Sequence, residues 1–587
     1  MPLLKQGILL LGSAPTSAFE VLRPRTMTGE PTSHLSEKET STKNMTDADL
    51  SKVETLDNAE HFQLLEHAGT KRNIKSRHAQ MIAIGGTIGT GLFVGSGQAL
   101  AIGGPGLLFL CYSLVSLLVF GVITAVAEVA AFLPVSGASM AYFCQRFVSP
   151  SLGFALGWLY FYSFGIIVAY EITAAGIVIG YWPNNVHIAV WITIMLIVIV
   201  GLNLCPVGIY AETEFWFAGI KVVMITGLLI LSFVLMLGGG PNHDRLGFRY
   251  WNDPGAVKAY IIDGAGGRFT AFLYVWVFSG FSFYFGPELI IFSTGEMRNP
   301  RKNVPQAARR YFIRLVIFYV LGALGIGIIT DSDSKGLVSG AGDANASPWV
   351  IAIRNAGILV LPSIINVGIL TSAWSSGNSY LYMSSRALYS LALAGDAPRI
   401  FTRCTRYGLP IYAVLASSCF SLLAYLNCGS SAGVVFNWFI NLTNTAGFTS
   451  WLVCCVVYIR FRKATEEQGL TVPYRSVFQP YAAWVCMFFF AFLLLMNGFT
   501  VFYPGRFTPS GFLTTYLGIP IFVLLWLGHK FTWGRNDPWM YRTAHVDLTT
   551  NLAEIEADAE MWTRMEETKA EENNRRGVWR RITVLWS

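Results

Sequence analysis

The chain predicts an all-α membrane protein of twelve transmembrane helices, and three observations carry that reading. Of its 587 residues 53% are hydrophobic and only 13% are charged, with a mean hydropathy of +0.48. A soluble multidomain protein of this length carries far more charge. Apolar stretches near the roughly 20 residues that span a bilayer recur along most of the sequence. Finally, two of those stretches are interrupted by glycines where a plain anchor would use leucine.

Taken in order, residues 1–70 are rich in Ser, Thr, Glu and Lys without apolar periodicity and read as a disordered cytoplasmic tail. Ile8-Leu-Leu-Leu11 is too short for a signal-peptide core, and Met27 is an alternative start. Lys38, Lys43 and Lys52, beside Ser and Thr, are candidate modification sites for turnover by ubiquitin-ligase machinery. The membrane domain covers 71–535. Its first six windows are Met81 to Ala101, Pro105 to Leu133, Leu152 to Tyr181, Ile188 to Leu204, Phe215 to Leu237 and Phe269 to Ser293. Six more run Tyr311 to Thr330, Ile358 to Leu393, Ile411 to Leu426, Val434 to Ile459, Ala482 to Tyr503 and Phe512 to Lys530. The polar tail, 536–587, holds Glu554, Glu556, Asp558 and Glu560 on an expected helix, and its basic and aromatic end from Arg575 to Trp586 suits a membrane surface or a solvated tail equally.

Charge fixes the expected orientation. Lys71, Arg72, Lys75 and Arg77 precede the first span, and Arg298, Arg301, Lys302, Arg309, Arg310 and Arg314 follow the sixth, so both segments are expected in the cytoplasm. An even span number then puts both termini inside, and Arg399, Arg403, Arg406, Arg460, Arg462 and Lys463 fall on that same side. Arg245, Arg249, Lys258 and Arg268 fall outside, accompanied by Asp244, Asp253 and Asp263. The pI near 8.8 thus reflects loop topology and not nucleic-acid binding. Asn345-Ala-Ser347 lies in an expected external loop and is a candidate glycan acceptor.

The interrupted spans carry the chemistry. Gly85, Gly86, Gly89 and Gly91 fall inside the first span, where each glycine costs about 1 kcal/mol relative to alanine. Backbone freed there is tolerated only where protein or a watery cavity receives it, so a polar solute is the expected partner. The sixth span is broken in the same way at Ser279-Gly-Phe-Ser-Phe-Tyr-Phe-Gly-Pro-Glu288. The two breaks open successive groups of five spans, and half-helix ends at such positions offer free N–H groups and a positive dipole end to an anion. A nucleotide-binding reading of Gly86 to Gly91 lacks a preceding strand and a following phosphate-binding lysine. Ionisable groups within spans mark ion or substrate paths, and Glu288, Glu171, Glu128 and Lys221 qualify. Glu288, beside the second break, is the first candidate for proton coupling. Lys221 is the next, with a lysine snorkelling to the interface as its bland reading. Glu171 is expected to pair with a cation or line the pocket, and Glu128 to act as a structural acid. Nine cysteines show no paired spacing, His243 and Asp244 read as a solvated loop, and no nucleophile elbow, metal-ligand cluster or cofactor fingerprint is present. The sequence therefore implies no cofactor, no metal and no enzyme.

These motifs together resemble the fungal amino acid permeases of the amino acid–polyamine–organocation superfamily, from about Lys71 to about Leu552. The pieces are Gly89-Thr-Gly-Leu-Phe93; Gly104-Pro105 through Glu128 to Pro134; Glu288 with Gly295-Glu-Met-Arg-Asn-Pro-Arg-Lys-Asn-Val-Pro305; and Ile369 to Asn378 leading to Ser384-Ser-Arg-Ala-Leu-Tyr389. The resemblance implies a five-plus-five inverted repeat of LeuT-like form with broken first and sixth helices, two extra C-terminal helices, and residence in the plasma membrane. It also implies a substrate carboxylate on the N–H groups of Gly89, Thr90 and Gly91, and an ammonium near carbonyls of Ile84 and Phe281. Phe283, Tyr284 and Phe285 would shape or close the pocket, and Lys221 would stand where a sodium ion sits in other carriers.

Within that family Glu212 to Lys221, Gly238 to Trp251 and Val435 to Asn441 look most like dicarboxylic amino acid permeases, so proton symport of aspartate or glutamate is expected. A broad or neutral specificity is the alternative, because no cation is evident in the broken segments and Pro287 and the order Ser282-Phe283-Tyr284-Phe285 depart from the family pattern. An amino acid sensor with little net transport is the alternative of another class. The chain ends Val-Leu-Trp-Ser587, so the terminal cysteine that is palmitoylated in similar permeases has no counterpart.

Overall fold

The computed structural model describes residues 89–575, apart from 136–137, 184, 285, 295–296, 298, 339–346, 406–407 and 430–431. The described residues belong to one compact unit, Ala59–Ser587. They form helices and irregular connections, with no strand among them.

Helix α1, Gly91–Phe132, joins what hydropathy divides into a first and a second span. It opens on a wide π-helical turn, Gly91–Gly95, and bends at Gly104-Pro105, where Gly104 takes φ +79°. Glycine adopts that conformation without a Cβ clash, and Pro105 lacks the N–H that a straight helix would need. The bend receives a strap from the connection ahead of the sixth span. Gly106 N–H donates to the Ala256 carbonyl at 2.8 Å, and Lys258 N–H to the Gly103 carbonyl at 3.0 Å. A Cβ on Gly104 would lie 2.9 Å from that Ala256 oxygen.

Short helix α2, Met140–Phe147, and α3, Pro150–Ile179, both start at serine caps: Ser139 accepts from Tyr142 N–H and Ser149 from Leu152 N–H. Then come α4, Ile188–Asn203, and α5, Val207–Met236. Helix α5 begins earlier than its apolar window because Glu212 and Glu214 interrupt the hydropathy without interrupting the helix. The sixth span is α6, Gly264–Gly280, a 3-10 turn over Phe281–Phe283, and α7, Gly286–Thr294. Between them Tyr284 is extended, at φ −52° and ψ 139°. Helix α8 covers Pro300–Ile329, its first turns polar and basic, and is followed by α9, Pro348–Asn355, and the serine-rich α10, Leu361–Leu393. Helices α11, Ile411–Cys428, α12, Ala432–Glu467, and α13, Tyr481–Met496, complete the bundle with the pair α14, Pro509–Tyr516, and α15, Gly518–Phe531. A tail helix, α16, runs Leu552–Arg575.

Among the described residues seven helices are long and apolar enough to cross a membrane, and the α14–α15 pair, bent by 44°, makes an eighth. Helices α4 and α13 are apolar but shorter, and α10 is long but rich in serine, so a length-and-hydropathy criterion passes over them. Helix α10 packs most extensively on α3. Large apolar side chains such as Val223, Ile230 and Phe233 on α5 stand exposed, as a lipid-facing surface requires.

One end of the bundle is basic and carries the segment that follows α15. Buried Arg146 on α2 donates to the carbonyls of Asp547 and Thr550, each at 2.8 Å, and pairs with the Asp547 carboxylate at 3.3 Å. Gln468 donates to the carbonyls of Thr543 and Val546, and Val546 and Leu548 are buried. Helix α16 rests on the start of α8 through Lys302–Glu566 at 2.6 Å and Arg301–Glu556 at 3.8 Å. At the same end Glu128 accepts from Tyr458 at 2.8 Å, Arg462 at 3.2 Å and Ser476 N–H at 2.6 Å. Asp396, just past α10, accepts from the Gln145 side chain.

Candidate functional site

The start of α1 and the α6–α7 break lie against each other. A Cβ added to Gly91 would come within 3.0 Å of the Phe281 ring and 3.2 Å of Ser282 Cα, and one on Gly89 within 2.9 Å of Glu171 Oε1. Glycine is therefore used here for close approach.

Thr90, fully buried, stands at the N-terminus of α1, where free N–H groups and the helix dipole favour an anion. Its N–H donates to the Glu171 carboxylate, and its hydroxyl lies 2.8 Å from Glu171 Oε2 and 3.1 Å from Tyr170 OH. A carboxylate of the protein itself thus rests on the Thr90 donors, which the family resemblance assigns, with Gly89 and Gly91, to a substrate carboxylate.

Behind Glu171, helices α5 and α10 contribute a charged cluster. Lys221 Nζ donates to Ser376 Oγ at 3.1 Å and lies within electrostatic reach of both Glu171 and Glu214. Ser375 Oγ donates to Glu214 Oε1 at 2.8 Å, while Glu214 Oε2 is buried and has no hydrogen-bond donor. Glu214 and Lys221 are 0% exposed and Glu171 3%, so this is a desolvated trio. Sequence reasoning missed Glu214. The available signal was its spacing from Lys221, two helical turns, which puts both on one face of α5.

Glu288, in the first turn of α7, is held by neutral donors. Ser450 Oγ lies 2.6 Å from its Oε1 and Trp451 Nε1 3.3 Å from its Oε2. Tyr380 on α10 is within electrostatic reach of both Glu171 and Glu288, and its hydroxyl donates to the Tyr284 carbonyl at 3.4 Å. The expected aromatics divide between two sides of the break. Phe281 meets the Tyr170 ring edge-on at 4.5 Å and Tyr284 at 5.0 Å, on the Thr90 side, and Tyr284 donates to Asn444. Phe283 turns the other way and stacks on Tyr319 at 4.5 Å. Ile84 and Phe285 lie outside the described residues. No group of three or more His, Cys, Asp or Glu side chains among the described residues is placed to hold a metal ion.

This arrangement can receive a small zwitterion. It offers helix N–H groups for a carboxylate, a buried carboxylate for an ammonium, and aromatic faces for an apolar side chain. A side-chain carboxylate would need a second cation, and Lys221 already serves two acids.

Comparison with known proteins agrees with that chemistry. The family model for amino acid permeases matches residues 78–541. The chain is 47% identical to a proline-specific permease of Emericella nidulans, over 84% of this chain and 90% of that one. It is 44% identical to a proline-specific permease of Saccharomyces cerevisiae, over 87% and 82% of the two chains. A dicarboxylic amino acid permease of Saccharomyces cerevisiae is 41% identical, over 86% and 84%. The likeness to dicarboxylic permeases expected from the sequence therefore exists, but the two proline-specific permeases are more similar. The segments that suggested the dicarboxylic subgroup are loop and lipid-facing stretches as much as pocket.

Proposed function

The chain belongs to the amino acid permease family, a family of membrane transporters and not enzymes, and from that premise we propose that it imports proline by proton symport. The observation that carries this reading is the Thr90 site, with aromatic Tyr170, Phe281 and Tyr284 beside it and, nearby among the described residues, the cation Lys221 engaged with Glu171 and Glu214. Proline brings a carboxylate, an ammonium with two N–H groups and an apolar ring. Its carboxylate takes the N–H groups of Thr90 and Gly91 in place of Glu171. The displaced Glu171 turns to the substrate ammonium together with carbonyls beside the breaks. The ring enters between Tyr170 and Phe281, which must part to admit it. The names of the 47% and 44% identical relatives support the same substrate.

Transport follows the twelve-helix plan, with the part of α1 before the Gly104-Pro105 bend belonging to the broken first helix, the α6–α7 pair as the broken sixth helix of a five-plus-five inverted repeat, and α13 to α15 as the two added spans. The basic end faces the cytoplasm with both termini, and the carrier works in the plasma membrane, where ubiquitin-ligase machinery acts on its tails. Glu171, Lys221 and Glu288 are the groups through which a proton biases the carrier between outward and inward states.

The test is uptake of labelled proline in yeast lacking its own amino acid permeases, with and without a protonophore and against each unlabelled amino acid. Uptake that collapses with the protonophore and yields to proline and its four-membered analogue azetidine-2-carboxylate supports the reading. Competition by aspartate and glutamate alone would replace it with the second reading, an acidic substrate, for which the 41% identical relative speaks. Binding without accumulation would make the protein a sensor.

A further inference from the structure

We propose that Glu214 is a proton-binding site of the carrier and sets the number of protons that travel with each substrate. This inference rests on the proton-symport reading above and adds to it a residue that neither the sequence motifs nor the broken helices indicate.

The argument is one of charge and hydrogen bonds. Glu171, Glu214 and Lys221 form a buried group of two carboxylates and one ammonium, and a desolvated charge without a counter-charge is strongly unfavourable. One further positive charge is needed for balance, and a proton supplies it without a metal site. The hydrogen bonds decide where it goes. Glu171 accepts the Thr90 N–H and has the Thr90 hydroxyl 2.8 Å away, and donors of that kind favour the ionised form. Glu214 is satisfied at one oxygen only: Ser375 donates to Oε1 at 2.8 Å, Ser379 adds a second hydroxyl, and Oε2 has no donor. The undonated oxygen receives the proton. Charged groups facing Glu214 are Lys221 from its own helix, with Glu171 beyond it on α3; α10 presents hydroxyls.

Substrate binding connects the parts. When a substrate carboxylate takes the Thr90 N–H, Glu171 loses that donor and its claim on Lys221 grows. Lys221 then moves away from Glu214, and Glu214 keeps its proton. Opening to the cytoplasm releases the substrate, returns Glu171 to Thr90 and Lys221 to Glu214, and admits water to the trio; the desolvation that required the extra positive charge is then relieved and the proton leaves from Oε2. No bond other than O–H is made or broken.

The experiment uses full-length protein in proteoliposomes, with labelled proline, an imposed pH gradient for accumulation, and counterflow without a gradient for binding and reorientation. With Glu214→Gln the Glu171–Lys221 pair is neutral by itself. Accumulation is expected to fall at least 10-fold, uptake to become flat between about pH 5 and 7.5, and counterflow to stay within about 2-fold of wild type. Glu214→Asp should restore accumulation. Full accumulation by Glu214→Gln overturns the proposal and leaves proton symport standing. Wild-type accumulation indifferent to the gradient and to a protonophore overturns proton symport itself. If Glu214→Gln does not fold, the double variant Ser375→Ala/Ser379→Ala removes donors to the ionised carboxylate. Its uptake–pH midpoint should then move to higher pH by about half a unit or more, and an unmoved midpoint overturns the proposal.

Discussion

Gly89 and Gly91 do their work by lacking a side chain. A methyl group at Gly89 would come within 2.9 Å of Glu171 Oε1 and one at Gly91 within 3.0 Å of the Phe281 ring and 3.2 Å of Ser282 Cα, so each crowds the seat that the substrate is proposed to enter. Gly89→Ala and Gly91→Ala should each lower proline uptake at least 10-fold with normal delivery to the membrane, even though alanine raises intrinsic helix propensity by about 1 kcal/mol. Gly219→Ala, on α5 where nothing lies within 4 Å, should leave uptake unchanged, and a loss there as large as at Gly91 would sink the close-approach argument. At the second break, Glu288→Gln should remove pH-driven accumulation while sparing exchange of preloaded substrate, measured in the same vesicles. Much of this site was legible beforehand, because glycine, threonine and buried acids stand out against an apolar background. Glu214 was missed: its spacing from Lys221 places it on the same face of α5, but its oxygen without a donor is visible only once the helices are packed. Phe283 and Tyr284 are neighbours in sequence and face different sides of the break, a consequence of the extended Tyr284 backbone that composition does not encode.

At the scale of elements, hydropathy found where helices run but misjudged where they start. Helix α8 begins at Pro300 with Arg301 and Lys302, and α5 at Val207, because polar turns continue a helix beyond the membrane core without any apolar signal. The first two windows, Met81 to Ala101 and Pro105 to Leu133, meet at a bend at Gly104 within one helix. The segment after α15, polar in sequence with an expected helix over Glu554 to Glu560, is tied to α2 by the wholly buried Arg146 side chain, a contact its composition does not announce. Arg146→Ala leaves two carbonyls and the Asp547 carboxylate without their donor, and bonds of this charged kind contribute about 1.5–3 kcal/mol each. Detergent-purified Arg146→Ala should therefore melt at a clearly lower temperature than wild type, by fluorescence-detected size exclusion. Glu560→Ala on α16, whose partner Arg564 is 81% exposed, should melt with wild type, since pairs of that kind add little.

For the whole molecule the relevant variable is pH at the basic end. Burial pushes the Asp396 carboxyl up to about 7, with nearby Asp537 adding to the effect and the Gln145 hydrogen bond opposing it. In the unfolded chain the same carboxyl releases its proton near its ordinary value of 3.8. Between those values the folded protein holds a proton that the unfolded chain has lost, so stability falls as pH rises from about 4 to about 7. Melting temperature of the purified carrier should decline across that interval, and Asp396→Asn should flatten the curve and melt higher than wild type at pH 7.5. Parallel curves for the two proteins would remove Asp396 from the pH response.

Arg146 meets Thr550 across 404 positions of sequence, and translation runs in one direction. The α2 segment is made early, with Tyr142 of the same helix as a partner for Arg146, and waits for Asp547 and Thr550 through the synthesis of every later helix. The contacts at this end of the bundle are completed only when the segment after α15 has been made and folds back onto α2. Contacts so distant in sequence are slow to form and leave intermediates exposed meanwhile. A chain cut short before Val546 would carry the apolar helices and still lack the side chains of Val546 and Leu548 that are buried at this end.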